Sequence, residues 1–281
     1  MNNIYEAIAK KTDVMSKSQK KIAEYILMNR DTVAFMNVKK LAREADVSDA
    51  SITRFAAFMG YKGYPQLRND LREKTREQLS IRDRLAISYD EYNENDAGIA
   101  KIFNEDANRI KATLSNLDFN TFHMVVEKIL AARKIYIISG RSAAALGKFF
   151  HYYLNMVLGN VEQISASDGK EMIMYDICEK DVVIAITFSR YTKKTVELFN
   201  YAQKKGAENI AITDSMTSPV IKNAKYYFLM ETQLNTYLDS FVAPLSLINA
   251  LLTYIGRYKN MELEEKFSEL EEIWDEFDIF W

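Results

Sequence analysis

The chain has 281 residues, enough for two domains, with 48% hydrophobic and 27% charged residues and a net charge of −2, the balance of an ordinary globular protein. No apolar run approaches the ~20 residues needed to cross a bilayer, and Met1 to Lys11 lacks an apolar signal core, which argues against a membrane partner and predicts a cytoplasmic protein. A single cysteine, Cys178, excludes an internal disulfide, and no cluster of residues has metal-ligand spacing.

The small net charge hides an asymmetry. Residues 1–86 carry 17 Lys/Arg and 11 Asp/Glu, a net +6, whereas the remainder carries 20 and 28, a net −8. A basic amino-terminal module on an acidic body predicts that the first part meets a polyanion.

In chain order, Ser16 or Ser18 can cap a helix through Asn29, with Ile22, Ile26 and Leu27 at helical spacing. A second helix is predicted near Asn37 to Ala45, burying Val38, Leu41, Ala42 and Ala45. Asp46 then marks a turn, and Ser48 is an N-cap candidate for a third helix that buries Ile52, Phe55, Ala56 and Met59 and stops at Gly60. Small Ala42 before the turn and Ile52 after it suit two closely crossing helices, so the pattern is a helix-turn-helix. Asp46 stands where such turns often use glycine, but aspartate tolerates a left-handed conformation. The third helix leaves Asp49, Ala50, Ser51, Thr53 and Arg54 away from the core, where small and polar side chains fit a DNA major groove and an arginine can read guanine. Lys39, Lys40 and Lys62 are phosphate candidates beside it.

Leu71 to Leu85 is charged and helix-compatible, with Arg72, Lys74, Arg76, Arg82 and Arg84 among acids. Asp90 to Gly98 is acidic and polar and reads as a linker, dividing the chain into a helix-turn-helix domain (1–86), a linker (87–98) and a second domain (99–281). An amphipathic helix carrying Ile99, Ile102, Phe103, Ile110 and Leu114 opens that domain, and another carries Phe122, Val125, Val126, Ile129 and Leu130.

Strands and helices then alternate. Strands are predicted at Lys134 to Ser139, Val161 to Ile164, Asp181 to Ile186, Asn209 to Thr213 and Tyr226 to Met230, with helices at Ala143 to Leu158 and up to Lys205 and a short one from Ser218. This alternation implies a doubly wound parallel sheet in three αβα layers, so the fold class is all-helical followed by α/β. Ligands of such sheets bind at the carboxyl ends of the strands. Two loops occupy that edge: Ser139-Gly140-Arg141-Ser142, and the hydroxyl-rich Thr187-Phe188-Ser189-Arg190-Tyr191-Thr192, which follows the β-branched run Val182 to Ile186. If adjacent, their Ser142, Thr187, Ser189 and Thr192 hydroxyls and backbone N–H groups would surround a phosphate at helix N-termini.

Two stretches carry a resemblance. Val47-Ser48-Asp49-Ala50-Ser51-Ile52-Thr53-Arg54-Phe55, continuing from Met59 through Arg68, resembles the DNA-binding domain of the RpiR family of bacterial transcription regulators. That resemblance implies that Ser48, Ser51, Thr53 and Arg54 belong to the recognition helix. Residues 130–255 resemble the sugar isomerase (SIS) fold, with Asp181 to Thr192 similar to the family's strand and Ser-x-Ser-Gly-x-Thr loop, and Ala207 to Pro219 similar to its next strand and turn. The resemblance implies a phosphate contact for Ser142, Thr187, Ser189 and Thr192. Thr187 replaces the usual first serine and keeps its hydroxyl. Arg190 replaces the usual glycine, which either adds a charge-assisted contact to an anion or blocks the pocket.

No acid/base constellation for sugar chemistry stands out. His123 and His151 lie in helical segments, and Glu171 and Asp239 are carboxylates near the expected rim with nothing to single them out. The expectation is a non-enzymatic regulator of carbohydrate metabolism without cofactor or metal, binding an operator in double-stranded DNA as a homodimer or homotetramer and modulated by a phosphorylated sugar. Two other readings are a phosphosugar isomerase with an appended helical domain, and a regulator whose Arg190 loop no longer takes a sugar. Tyr237 to Tyr258 reads as a long apolar helix, and Leu263, Phe267, Leu270, Trp274 and Phe277 stripe a last, acidic helix.

Overall fold

A computed structural model describes residues 4–76, 84–85, 88–89, 92, 95–165, 169–233 and 236–280. The chain divides into two compact units, Met1–Glu94 with Asn235–Leu238, and Asn95–Leu234 with Asp239–Trp281.

The first unit is all helical. Helices α1 (Ile4–Lys11), α2 (Lys17–Met28), the single turn α3 (Arg30–Val33), α4 (Val38–Glu44), α5 (Asp49–Phe58) and α6 (Tyr64–Arg76) follow one another. Of the two predicted caps, Ser16 is the one used: its side chain accepts from Gln19 N while the Gln19 side chain accepts from Ser16 N, a capping box. The core joins Ile8, Ile22, Ile26, Leu41, Ile52, Phe55, Leu67 and Leu71. Sequence periodicity missed α1, whose Ile4, Tyr5 and Ile8 are buried, and placed no helix start at Tyr64. Pro65 in the first turn of α6 fits there because its missing N–H has no intrahelical partner at that position. Residues 77–83, within the charged stretch Leu71 to Leu85, lie outside the described residues, as does much of the predicted linker.

The second unit opens with α7 (Asp96–Ser115), capped by Asn95, whose Oδ1 accepts Gly98 N at 3.1 Å, so the helix begins inside the expected linker. After α8 (Phe119–Ala131) come β1 (Ile135–Ser139), α9 (Ala144–Leu158), β2 (Val161–Ser165), β3 (Val182–Ile186), α10 (Lys193–Lys204), β4 (Glu208–Thr213), β5 (Tyr226–Leu229), α11 (Val242–Tyr258) and α12 (Asn260–Glu276). The predicted helix from Ser218 is a single 3-10 turn, Ile221–Asn223, and the apolar helix predicted from Tyr237 starts at Val242.

All strand pairs are parallel, in the order β2-β1-β3-β4-β5. Ile135, Ile137, Val182, Ile184, Ile186, Ile210 and Ile212 face α8, α9 and α11. Tyr136, Ile138, Val183, Ala185 and Ala211 face α10 and the 3-10 segment Lys170–Asp176. Both faces of β1 and β3 are therefore covered, which explains their continuous apolar runs.

The amino edge of the sheet is held by charge. Arg133 donates to both oxygens of fully buried Asp181 at 2.8 and 2.7 Å and to Asp176 Oδ2 at 3.0 Å, and Asp181 Oδ2 also accepts Cys178 N at 2.9 Å. The hydrogen bond from Arg133 is the main reason that the Asp176 carboxyl lies below its ordinary range.

Candidate functional sites

In the first unit, α4 ends as the sequence pattern requires. Asp46 adopts φ +52, Val47 N donates to Ala42 O at 2.9 Å and Asp46 N to Arg43 O at 3.2 Å, a Schellman closure with aspartate in the glycine position. Lys21 of α2 braces that turn, its Nζ donating to Asp46 Oδ2 at 2.5 Å, and this hydrogen bond holds the carboxyl below its usual range. Ser48 then caps α5 by accepting Ser51 N at 3.3 Å, and Gly60, at φ +97, closes it with the same motif.

On the outward face of α5, Asp49, Ala50, Thr53 and Arg54 are exposed, and Lys39 and Lys62 are exposed on neighbouring segments, while Lys40 is half-buried. Ser51 differs from the expectation. It is only 9% exposed, and its hydroxyl stands 3.0 Å from Ser48 Oγ and accepts Arg54 Nη2 at 3.1 Å. Ser51 therefore orients the arginine rather than presenting its own hydroxyl.

In the second unit the decisive geometry is the strand order. β1 and β3 are adjacent, with Ser139 paired to Ile186, while their onward connections lead to opposite sides of the sheet: β2 flanks β1, and β4 flanks β3. This is the topological switch point, where loops diverge and leave a crevice at the carboxyl edge. The loop after β1 and the loop after β3 thus leave neighbouring strand ends. In the first, Arg141 has φ +54 and, like Ser142, is exposed, in a 3-10 turn that runs directly into α9. In the second, Thr187 is buried, with its N–H donating to Ile212 O at 3.1 Å, and Phe188 turns into the core against Phe241, ring centroids 5.5 Å apart. Ser189 and Thr192 are half-exposed and Arg190 is exposed. Thr192 occupies the N-cap of α10 but makes no side-chain capping bond.

Arg190 has φ +66, so the position does use the conformation that favours glycine. Ser139 is not at the loop surface. Its hydroxyl is fully buried on the face covered by α9, where a Cβ on Gly147 would lie 2.2 Å from it. Gly140 is buried as well. Sequence reading also passed over Asp214, the residue after β4. Its Oδ2 accepts Ser189 N at 2.9 Å and its Oδ1 accepts the Tyr191 hydroxyl at 3.0 Å. Its only signal was a position at the end of a predicted strand, which does not say which loop it reaches.

Of the candidate acid and base groups, His151 lies at the opposite end of the sheet. His151 Nε2 is 3.2 Å from Val161 O, at the amino end of β2, and His123 packs edge-on against Phe122 and Tyr254 with ring centroids 5.8 and 5.9 Å away. Asp239 is half-exposed after β5, and the side chain of Glu171 lies outside the described residues. Among the described residues no group of His, Cys, Asp and Glu could hold a metal ion, and no helix is long and apolar enough to cross a membrane.

Fold and sites together define a helix-turn-helix module joined to a doubly wound α/β module with a loop crevice. Residues 2–78 match the helix-turn-helix domain of the rpiR family, and residues 128–254 match the SIS domain. The chain is a transcriptional regulator of the RpiR type. It is 27% identical over 266 residues to the HTH-type transcriptional regulator HexR of Escherichia coli, covering 89% of this chain and 87% of that one. Its fold is similar to the sugar isomerase domain of an RpiR transcription factor from Sphaerobacter thermophilus (TM-score 0.59, 21% identity, 62% of this chain and 97% of that one). It is also similar to Vibrio vulnificus NanR complexed with ManNAc-6P (TM-score 0.55, 20% identity, 98% and 99%).

Proposed function

We propose that α5 of the first unit reads an operator in double-stranded DNA, and that a phosphorylated sugar held between the β1 and β3 loops modulates that binding. The observation that carries this reading is the meeting of two hydroxyl-bearing loops at the switch point of a chain whose other unit is a helix-turn-helix. Arg54, Thr53, Asp49 and Ala50 face the groove, Ser48 and Ser51 order the helix start, and Lys39 and Lys62 meet phosphates. Ser142, Ser189, Arg190 and Thr192, with Arg141 beside them, receive the sugar phosphate. Thr187, Gly140 and Ser139 shape the strand ends beneath. The chain works in the cytoplasm as a homodimer or homotetramer, because paired recognition helices about one DNA turn (~34 Å) apart read a palindromic operator. It performs no chemistry: His151 is tied to the amino end of β2, away from the loop edge, which supports a sensor over an isomerase.

The test is thermal unfolding of the full chain against a panel of phosphorylated sugars, N-acetylmannosamine 6-phosphate among them, and the parent sugars. One phosphosugar should raise Tm by several degrees and change operator affinity, and its parent sugar should do neither, since ligand binding to the native state stabilises it by mass action. A response seen only after Arg190→Gly would mean that the arginine closes the loop. Sugar turnover without DNA affinity would establish the isomerase instead.

A further inference from the structure

An arginine at φ +66 is costly, because outside glycine the left-handed region crowds Cβ against the following carbonyl. Something must hold it there. Arg190 is exposed and lies outside regular secondary structure, between β3 and α10, so neither the sheet ladder nor the helix imposes the turn. The two residues flanking it are tied instead to one carboxylate. Asp214 accepts the Ser189 N–H through one oxygen, at 2.9 Å, and the Tyr191 hydroxyl through the other, at 3.0 Å. Asp214 follows β4, the neighbour of β3, and buried Thr213 beside it bonds Ser218 Oγ at 2.8 Å, so the carboxylate stands on a rigid strand end.

We propose that Asp214 is the positioning residue that holds the Arg190 turn in its left-handed form and thereby sets the shape of the anion-binding loop. The proposal rests on the sugar-phosphate reading of that loop and extends it to the chemistry of recognition. A glycine loop cradles phosphate with successive backbone N–H groups. Here the Ser189 N–H is already committed to Asp214, so the loop offers the ligand the Ser189 and Thr192 hydroxyls and the Arg190 guanidinium. The ligand class this favours is a dianionic phosphomonoester, which an arginine engages through charge-assisted bonds.

The experiment is a double-mutant cycle in the full chain, comparing wild type, D214A, R190G and the double variant by thermal unfolding and by hydrogen exchange of the 187–192 segment. Asp214→Ala should leave the 187–192 segment fast-exchanging when Arg190 is present but still protected in the R190G background, where glycine keeps the turn without strain. It should lower Tm less with Arg190 present, because the strain released offsets part of the lost hydrogen bonds. Asp214→Asn should behave nearly as wild type, because the amide can accept from Ser189 N and donate to the Tyr191 oxygen. Equal losses from D214A in both backgrounds would overturn the proposal, since Asp214 would then be an ordinary packing contact. A second readout is protection by inorganic phosphate at constant ionic strength, which D214A should weaken and D214N should keep. Non-additive unfolding without phosphate or phosphosugar protection of the wild type would retain the positioning role and remove the sugar-phosphate reading.

Discussion

At Arg54 a single hydroxyl orders the arginine that the proposed function places in the DNA groove. Unconstrained, an exposed arginine samples many rotamers and loses that freedom on meeting a base. The Ser51 hydroxyl, itself fixed between Ser48 and the helix, accepts Nη2 at 3.1 Å and keeps the guanidinium near one orientation. Because Arg54 is exposed, the bond is worth under about 1 kcal/mol. Ser51→Ala should therefore weaken binding to a DNA duplex selected from a random pool by a few-fold and leave binding to unselected duplex unchanged. Arg54→Ala should cost more, about 1–3 kcal/mol if the arginine pairs a guanine. Competition between the two duplexes measures both; equal loss on each would reduce Arg54 to a phosphate contact.

At the scale of elements, α9 can lie close on β1 only because position 147 is glycine. A Cβ there would stand 2.2 Å from Ser139 Oγ, 3.0 Å from Ser139 Cβ and 3.3 Å from Gln163 Nε2. Gly147→Ala gains about 1 kcal/mol of helix propensity, but the clash is with a short side chain anchored on a strand, so overpacking of about 1–3 kcal/mol outweighs it. The urea midpoint should fall; a rise would mean that helix and strand separate freely. Helix α7 is joined to the segment after β5 by polar contacts rather than by an apolar face. Arg109 Nε donates to Gln233 O at 2.6 Å, Ser240 Oγ to Asp106 Oδ1 at 2.6 Å, and Glu231 N to Thr113 Oγ1 at 3.1 Å. Sequence periodicity revealed α7, but not these ties, because its exposed Phe103 and Leu114 and its buried Thr113 invert the usual correspondence between polarity and exposure.

For the whole molecule, the net +6 of residues 1–86 against −8 beyond them makes the DNA interaction strongly electrostatic. Each phosphate neutralised by a lysine or arginine steepens the fall of log affinity with log salt by about 0.9, so binding should drop sharply as salt rises. Lys39→Ala and Lys62→Ala should each flatten that slope by about one unit without altering sequence preference. Filter binding across a salt series checks this, and an unchanged slope would remove those lysines from the interface.

Local patterning alone determined the helix-turn-helix, its Ser48 cap and the β/α alternation, because caps, turns and periodicity depend on residues within a few positions of one another. The left-handed Asp46 was legible as a turn position where glycine is common, and Arg190 only through the resemblance to the SIS loop, in which glycine is usual. The strand order, which sets the two loops side by side, was not: parallel pairing joins residues far apart in the chain, as Ser139 to Ile186. Nor were the burial of Ser51, the seating of Ser139 beneath α9, or the clasp of Asp214 on the Arg190 turn. Each of these depends on which surfaces meet across the fold, and only tertiary packing decides that.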